Sequence, residues 1–392
     1  MKRLPIRVPK EAQIEAANAQ RRDRTVDAWR GVSVLTVILC HIITERYERF
    51  FDGTSDRFAS RPLQGLDGFI YRLKPFVYSL STGAGTLAVE FFFVISGYMI
   101  TTLLLREHAR MGRISLGAFY TRRAFRILPP AALVVGGTFV MGSLGFIAAA
   151  PQSFWPAATF SCNTTTACGW FLGHFWSLAV EEQFYLVWPC LLVLIGARAV
   201  PQMATLFMAG FLLLSQLHIG NVGRVDNGMS FACIAAGCWY ASSARLRASI
   251  ERLASPPLIA VAAALLVCRP VMPLLFRGSQ RIQDLLTPAL ICFVLFSCFR
   301  YRERLERLVA VQVLARLGLV SYGLYLWQQI FLAAPDKYLR HSILSYSGLC
   351  FVMAVLSYLF LERPLIRLGA RLSEALIIRG SNHWLPPSAE MD

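Results

Sequence analysis

Long apolar runs separated by short polar segments dominate the chain. A membrane-spanning helix needs about 20 mostly apolar residues. Runs of that kind fall at about 28–45, 86–105, 130–149, 175–196, 202–218, 229–243, 257–272, 285–299, 318–334 and 345–361. The pattern predicts an all-α polytopic membrane protein with about ten transmembrane helices. The weakest runs are the short one at 229–243 and the next two, near whose ends lie Pro270, Pro273 and Pro288. No internal repeat, low-complexity tract or appended soluble domain breaks the series. Three regions are therefore expected: an N-terminal tail over 1–27, a transmembrane domain over 28–361 and a C-terminal tail over 362–392.

Composition agrees with the pattern, since 56% hydrophobic and 16% charged residues in a chain of 392 are too apolar for an ordinary soluble domain. The formal charge of +16 raises the question of nucleic acid. The basic residues, however, cluster between apolar runs rather than along one face, so no nucleic-acid partner is expected and the charge carries topology instead. With the N-terminal tail in the cytosol, alternate loops hold about 26 Lys and Arg inside and about 12 outside, which predicts an even number of spans and both termini cytosolic. The richest inner clusters lie at 106–126 and 299–307, whereas 150–175 contains no Lys or Arg and is expected to be external. The first 25 residues lack an apolar leader core, so the first span reads as an uncleaved anchor in a bacterial-type cytoplasmic (inner) membrane, with membrane lipids around it.

Eight of the ten cysteines lie in apolar runs, where a thiol acts as a small hydrophobe, and no Cys/His spacing suits a metal. Cys162 and Cys168 share a polar loop. They form a disulfide if their Cβ atoms face one another and stay as two thiols if they do not.

Ionisable residues inside spans carry the candidate chemistry, because such groups cost a few kcal/mol there and usually face a cavity or pathway. Arg30 and His41 are eleven residues apart, which returns to within about 20° of the same helix face and separates them by roughly 16 Å along the axis. Asp27, three residues before Arg30, extends that stripe. The plainer alternative is that Arg30 snorkels and His41 hydrogen-bonds a neighbouring helix.

In FWSLAVEEQFYLVWP (175–189), Ser177, Glu181 and Tyr185 follow an i, i+4, i+8 ladder on one face. Glu182 points about 100° away, so at most one of the two glutamates is expected to face that cavity. Arg122, Arg123 and Arg126 beside the third span suit phosphate oxygens, or alternatively form a positive-inside anchor on lipid phosphate. In LAVEFFFVISGYMI (87–100), Gly97 permits close helix packing and Glu90 adds an intramembrane carboxylate. LERP at 361–364 reads as a helix end stopped by proline.

In this order the stretches resemble the integral-membrane acyltransferase-3 family, whose members O-acylate surface polysaccharides, lipopolysaccharides and some small glycosides. The matching motifs are Asp-x-x-Arg-x10-His (Asp27, Arg30, His41), Glu-Phe-Phe-Phe-Val-x-Ser-Gly-Tyr (Glu90 to Tyr98) and Arg-Arg-x-x-Arg-Ile-x-Pro (Arg122 to Pro129). Trp-Ser-Leu-x-Val-Glu-Glu-Gln-Phe-Tyr (Trp176 to Tyr185), Ser-Tyr-Gly-Leu-Tyr-Leu-Trp (Ser321 to Trp327) and Glu-Arg-Pro (Glu362 to Pro364) complete the set. Two departures stand out. Gln328 occupies a position where the family commonly has histidine, so no acid–base work is assigned there, and the extracytoplasmic esterase-like domain of many relatives has no counterpart in the sequence.

The resemblance implies an O-acyltransferase using acyl-CoA as donor substrate, acetyl-CoA being the expected one. The acceptor would be a carbohydrate or lipid-linked glycan hydroxyl, as in exopolysaccharide or lipopolysaccharide modification. His41 would be the general base, with Glu181 and Arg30 beside it in the catalytic group. Arg122, Arg123 and Arg126 would hold the CoA phosphates, and Asp27, Glu90, Ser177 and Tyr185 would orient the reactants. A proton-coupled transporter or flippase of an anionic or glycosylated substrate is the competing class, and a catalytically silent receptor or scaffold a third.

Overall fold

A backbone in hydrocarbon must satisfy its own hydrogen bonds, and helix does so within one segment. The computed structural model describes residues 23–58, 65–223, 225–276, 278–333 and 347–382. Among them there is no strand, only an isolated bridge between Val222 and Val225. Residues 1–22 and 383–392, most of the expected N-terminal tail and the end of the expected C-terminal one, lie outside the described residues.

Each of the ten apolar runs is matched by helix. The principal elements are α1 (Arg24–Phe58), α2 (Gly65–Met111), α3 (Leu116–Ser143), α4 (Phe175–Ile195), α5 (Val200–Gln216) and α6 (Asn227–Ser242). They continue as α7 (Ala244–Leu253), α8 (Pro256–Cys268), α9 (Ser279–Ser297) and α10 (Val309–Leu319). The last three are α11 (Ser321–Leu332), α12 (Ser347–Ser357) and α13 (Arg363–Asn382).

By length and composition, seven helical stretches among the described residues can cross a membrane, or nine if each bent pair is one span. Of the ten expected spans, the one that this measure does not return among the described residues is α6. Its 16 residues rise only about 24 Å, short of the roughly 30 Å hydrocarbon core. Nearly all of it is buried against α2, α5 and α9, so protein rather than lipid surrounds it.

The bent pairs are α7 with α8, turning by 104°, and α10 with α11, turning by 72°. The break in the second pair falls at Val320, so the expected span at 318–334 starts at a corner rather than in a continuous helix.

Two reciprocal glycine contacts fix the inner helices. A Cβ on Gly97 of α2 would overlap the Ile234 carbonyl of α6, and one on Gly237 of α6 would overlap the Val94 carbonyl of α2. Gly31 of α1 against Leu314, and Gly318 of α10 against Asp27, repeat the arrangement. Small residues let backbones meet where lipid provides no hydrophobic drive between helices. The opposite surface carries exposed Leu194, Leu206 and Phe360, as expected of helices bathed in acyl chains.

The LERP segment does not end its helix. Tyr358–Glu362 forms a π-helical turn that leads directly into α13, with Pro364 in the first turn, where a missing N–H is tolerated. Residues 363–382, expected to be tail, are thus a helix packed along α3, with Gly369 against Phe125.

Candidate active site

Three cavities lie in series through the helices. The first, of about 810 Å³, is walled by the start of α1, the end of α2, the start of α3 and the start of α13, and carries the basic residues. A narrow central cavity of about 80 Å³ shares Arg30, Met99, Arg126 and Tyr322 with it. On its other side the central cavity shares Val89 and Tyr325 with a third of about 800 Å³.

The α1 stripe follows this series. Asp27 lines the basic cavity, Arg30 lines both the basic cavity and the neck, and His41 lines the far cavity. The eleven-residue spacing thus places the cation and the imidazole on one pathway. Arg30 lies 3.9 Å from Asp27, and the His41 ring meets Trp170 edge to face at 5.5 Å between centroids.

The arginine trio divides. Glu107 ties the end of α2 to the start of α3, accepting from the Ser115 amide at 2.7 Å and pairing with Arg122 at 3.0 Å. Arg122 faces the basic cavity, Arg126 faces both that cavity and the neck, and Arg123 faces only the neck. There the Arg123 guanidinium sits 4.7 Å from the Tyr185 ring centroid, a cation–π contact. One helix turn presents these side chains at different heights, so Arg122 and Arg126 share the basic cavity and Arg123 does not line it. At the rim of the basic cavity the α1 start is held by Arg302, 3.4 Å from Asp23. Burial lifts the Asp23 carboxyl above its ordinary range, opposed by the Arg302 charge.

The neck is built on α4. Glu181 accepts from Ser96 at 2.6 Å through one oxygen and from Tyr185 at 3.0 Å through the other. The Ser177 and Tyr325 hydroxyls are 2.6 Å apart. Ser177, Glu181 and Tyr185 do share a face, but Glu182 lines the same neck, contrary to the expectation that only one glutamate would. A helix that inserts between cavity walls exposes more than one stripe to them, and Arg123 lines the neck together with both carboxylates. The α10–α11 corner brings Ser321, Tyr322 and Tyr325 to the neck as well. Such broken helices are tolerated at membrane depth where they border a cavity.

Glu90 was expected from the sequence, but its partners Arg269 and Asp284 and the nearby His174 were not. Glu90 is buried and pairs with Arg269 at 2.5 Å, and Arg269 also holds Asp284 at 3.0 Å. Arg269 stands beside Pro270 near the end of the 257–272 run and drew no notice there. His174 lies one residue before the Phe-Trp-Ser-Leu stretch, and its Nδ1 donates to the Gln329 amide oxygen at 2.6 Å. A histidine at the entrance of an apolar span was the available signal. Cys162 and Cys168 are joined as a disulfide, with Cα atoms 5.9 Å apart, in the loop bordering this cavity.

An all-helical membrane body with buried charge along an internal pathway defines a class of membrane-embedded transferases or carriers, and comparison with known proteins narrows it. The chain belongs to the acyltransferase-3 family, whose acyltransferase-domain model matches residues 23–362. It is 27% identical over 378 residues to a putative peptidoglycan O-acetyltransferase YrhL of Bacillus subtilis, covering 83% of this chain and 58% of that protein. It is 26% identical over 366 residues to the O-acetyltransferase OatA of Staphylococcus aureus, covering 80% and 58%. With the peptidoglycan O-acetyltransferase OatA of Listeria monocytogenes the identity is 26% over 374 residues, covering 83% and 57%. The chain therefore spans less than two thirds of the length of these relatives. No solved structure matches it.

Proposed function

We propose that the protein is a membrane O-acyltransferase that moves an acetyl group from acetyl-CoA, bound in the basic cavity, to a carbohydrate hydroxyl in the far cavity. One observation carries the reading: Asp27, Arg30 and His41 run in order along basic cavity, neck and far cavity. The positive-inside bias supports a basic cavity open to the cytosol, where acyl-CoA is made. The relatives' names speak of peptidoglycan, so a peptidoglycan-type glycan replaces lipopolysaccharide as the first acceptor to test.

In this mechanism the pantetheine arm passes Arg30 and Arg126 into the neck, whose small volume favours a short acyl group. His41 takes the proton from the acceptor hydroxyl as its oxygen attacks the thioester carbonyl. The C–S bond breaks, and the imidazolium returns the proton to the leaving thiolate, giving the ester and free CoA. Glu181, held by Ser96 and Tyr185, fixes the neck wall, while Glu90 is held by Arg269 at the far cavity. His41→Ala should lower acetyl transfer by about a hundredfold or more, the usual scale of a general base. Full activity at normal folded yield would remove His41 from the mechanism.

A further inference from the structure

The basic cavity contains arginines of two kinds. Arg30, Arg122 and Arg302 are held by Asp27, Glu107, and the pair Asp23 and Glu306. Arg106 and Arg110 on the last turns of α2, and Arg363 and Arg367 on the first turns of α13, line the same cavity with no carboxylate in ion-pair range among the described residues. Each pair has i, i+4 spacing, so each presents two guanidinium groups from one helix face. Two helices far apart in sequence thus turn cations with no ion-pair partner among the described residues onto one concave volume, whose wall also holds Tyr98, Tyr358, Ile366 and the carboxylates of Asp23, Asp27, Glu107 and Glu362.

Asp27, Glu107 and Asp23 are engaged by Arg30, Arg122 and Arg302, so arginines outnumber carboxylates around the cavity, and a bound polyanion relieves the repulsion among them. Guanidinium forks match phosphate oxygens bidentately. We propose that these four arginines, rather than the Arg122 to Arg126 segment, form the clamp for the diphosphate and ribose phosphate of the CoA donor. The inference rests on the acyl-CoA reading above and adds α13 to the donor site. Because α13 follows the π-helical turn directly, the segment that looks like a C-terminal tail is a wall of the site. Arg126 is left for the neck, and Arg122 serves mainly to hold Glu107 at the α2–α3 junction.

A lipid phosphate offers the same chemistry, so the test separates the two sources. The full chain in nanodiscs of phosphatidylcholine is titrated with CoA, dephospho-CoA and pantetheine. The variants are Arg363→Gln/Arg367→Gln and Arg106→Gln/Arg110→Gln, with size-exclusion profiles confirming the fold. Each double variant should weaken CoA about tenfold or more, the scale of one charge-assisted hydrogen bond. Each should also narrow the preference for CoA over dephospho-CoA and leave pantetheine binding unchanged. CoA affinity within about twofold of the unaltered protein, in variants that are folded, would overturn the clamp while the donor reading stands. Failure of the unaltered protein to bind CoA would overturn the donor reading and the clamp with it. Loss of co-purifying anionic lipid with unchanged CoA affinity would reassign the arginines to membrane anchoring. Should the α13 variant not fold, the α2 variant decides alone, since both pairs are required.

Discussion

At Gln328 the side chain is fully buried, and among the described residues neither its amide nitrogen nor its oxygen has a hydrogen-bond partner. A buried amide in that state loses its water bonds and gains nothing in return. Gln328→Met, similar in length and unbranched, should therefore raise stability by about 1 kcal/mol and leave acetyl transfer unchanged, as thermal unfolding and turnover will show. Lost turnover would give the amide a functional role instead. The residues of the pathway were legible in sequence to different degrees. His41 and Arg30 announced themselves because helical periodicity fixes both face and depth within one element. Arg269 did not, since its meaning comes from Glu90, 179 positions earlier in the chain. The His174 contact with Gln329 is likewise a meeting across 155 positions. No local spacing encodes either encounter.

Among the elements, the pairing of α2 with α6 is the most demanding. Gly97→Val would drive a branched side chain into the Ile234 carbonyl of a closely apposed helix. A loss of about 1–3 kcal/mol is expected for overpacking of this kind, measurable as a lower unfolding midpoint in detergent. An unchanged midpoint would mean that the two helices can separate at little cost. Apolar runs located all ten helical regions, because each apolar side chain adds locally to the signal. They did not reveal the corner at Val320, which separates two stretches of ordinary span composition. Nor did they show that helix persists through Pro364, because a π-helical turn depends on the packing of Glu362 and Ser357, 3.3 Å apart, rather than on proline alone.

Across the whole molecule, charge and shape tell one story. Arginine collects around one large cavity, a neck of about 80 Å³ follows, and a histidine-bearing cavity of similar size lies beyond. Hydropathy and charge counts indicated a polytopic protein with a basic side, but cavities arise only when distant helices meet. The shape predicts vectorial chemistry, with donor and acceptor on opposite faces. Transfer in sealed proteoliposomes tests this most directly, with labelled acetyl-CoA supplied outside and a peptidoglycan-type oligosaccharide trapped inside. Label should appear as an alkali-labile ester on the trapped glycan and be lost with His41→Ala. Label that stays on CoA although the folded protein binds it, or that reaches only glycan placed on the donor side, would contradict it.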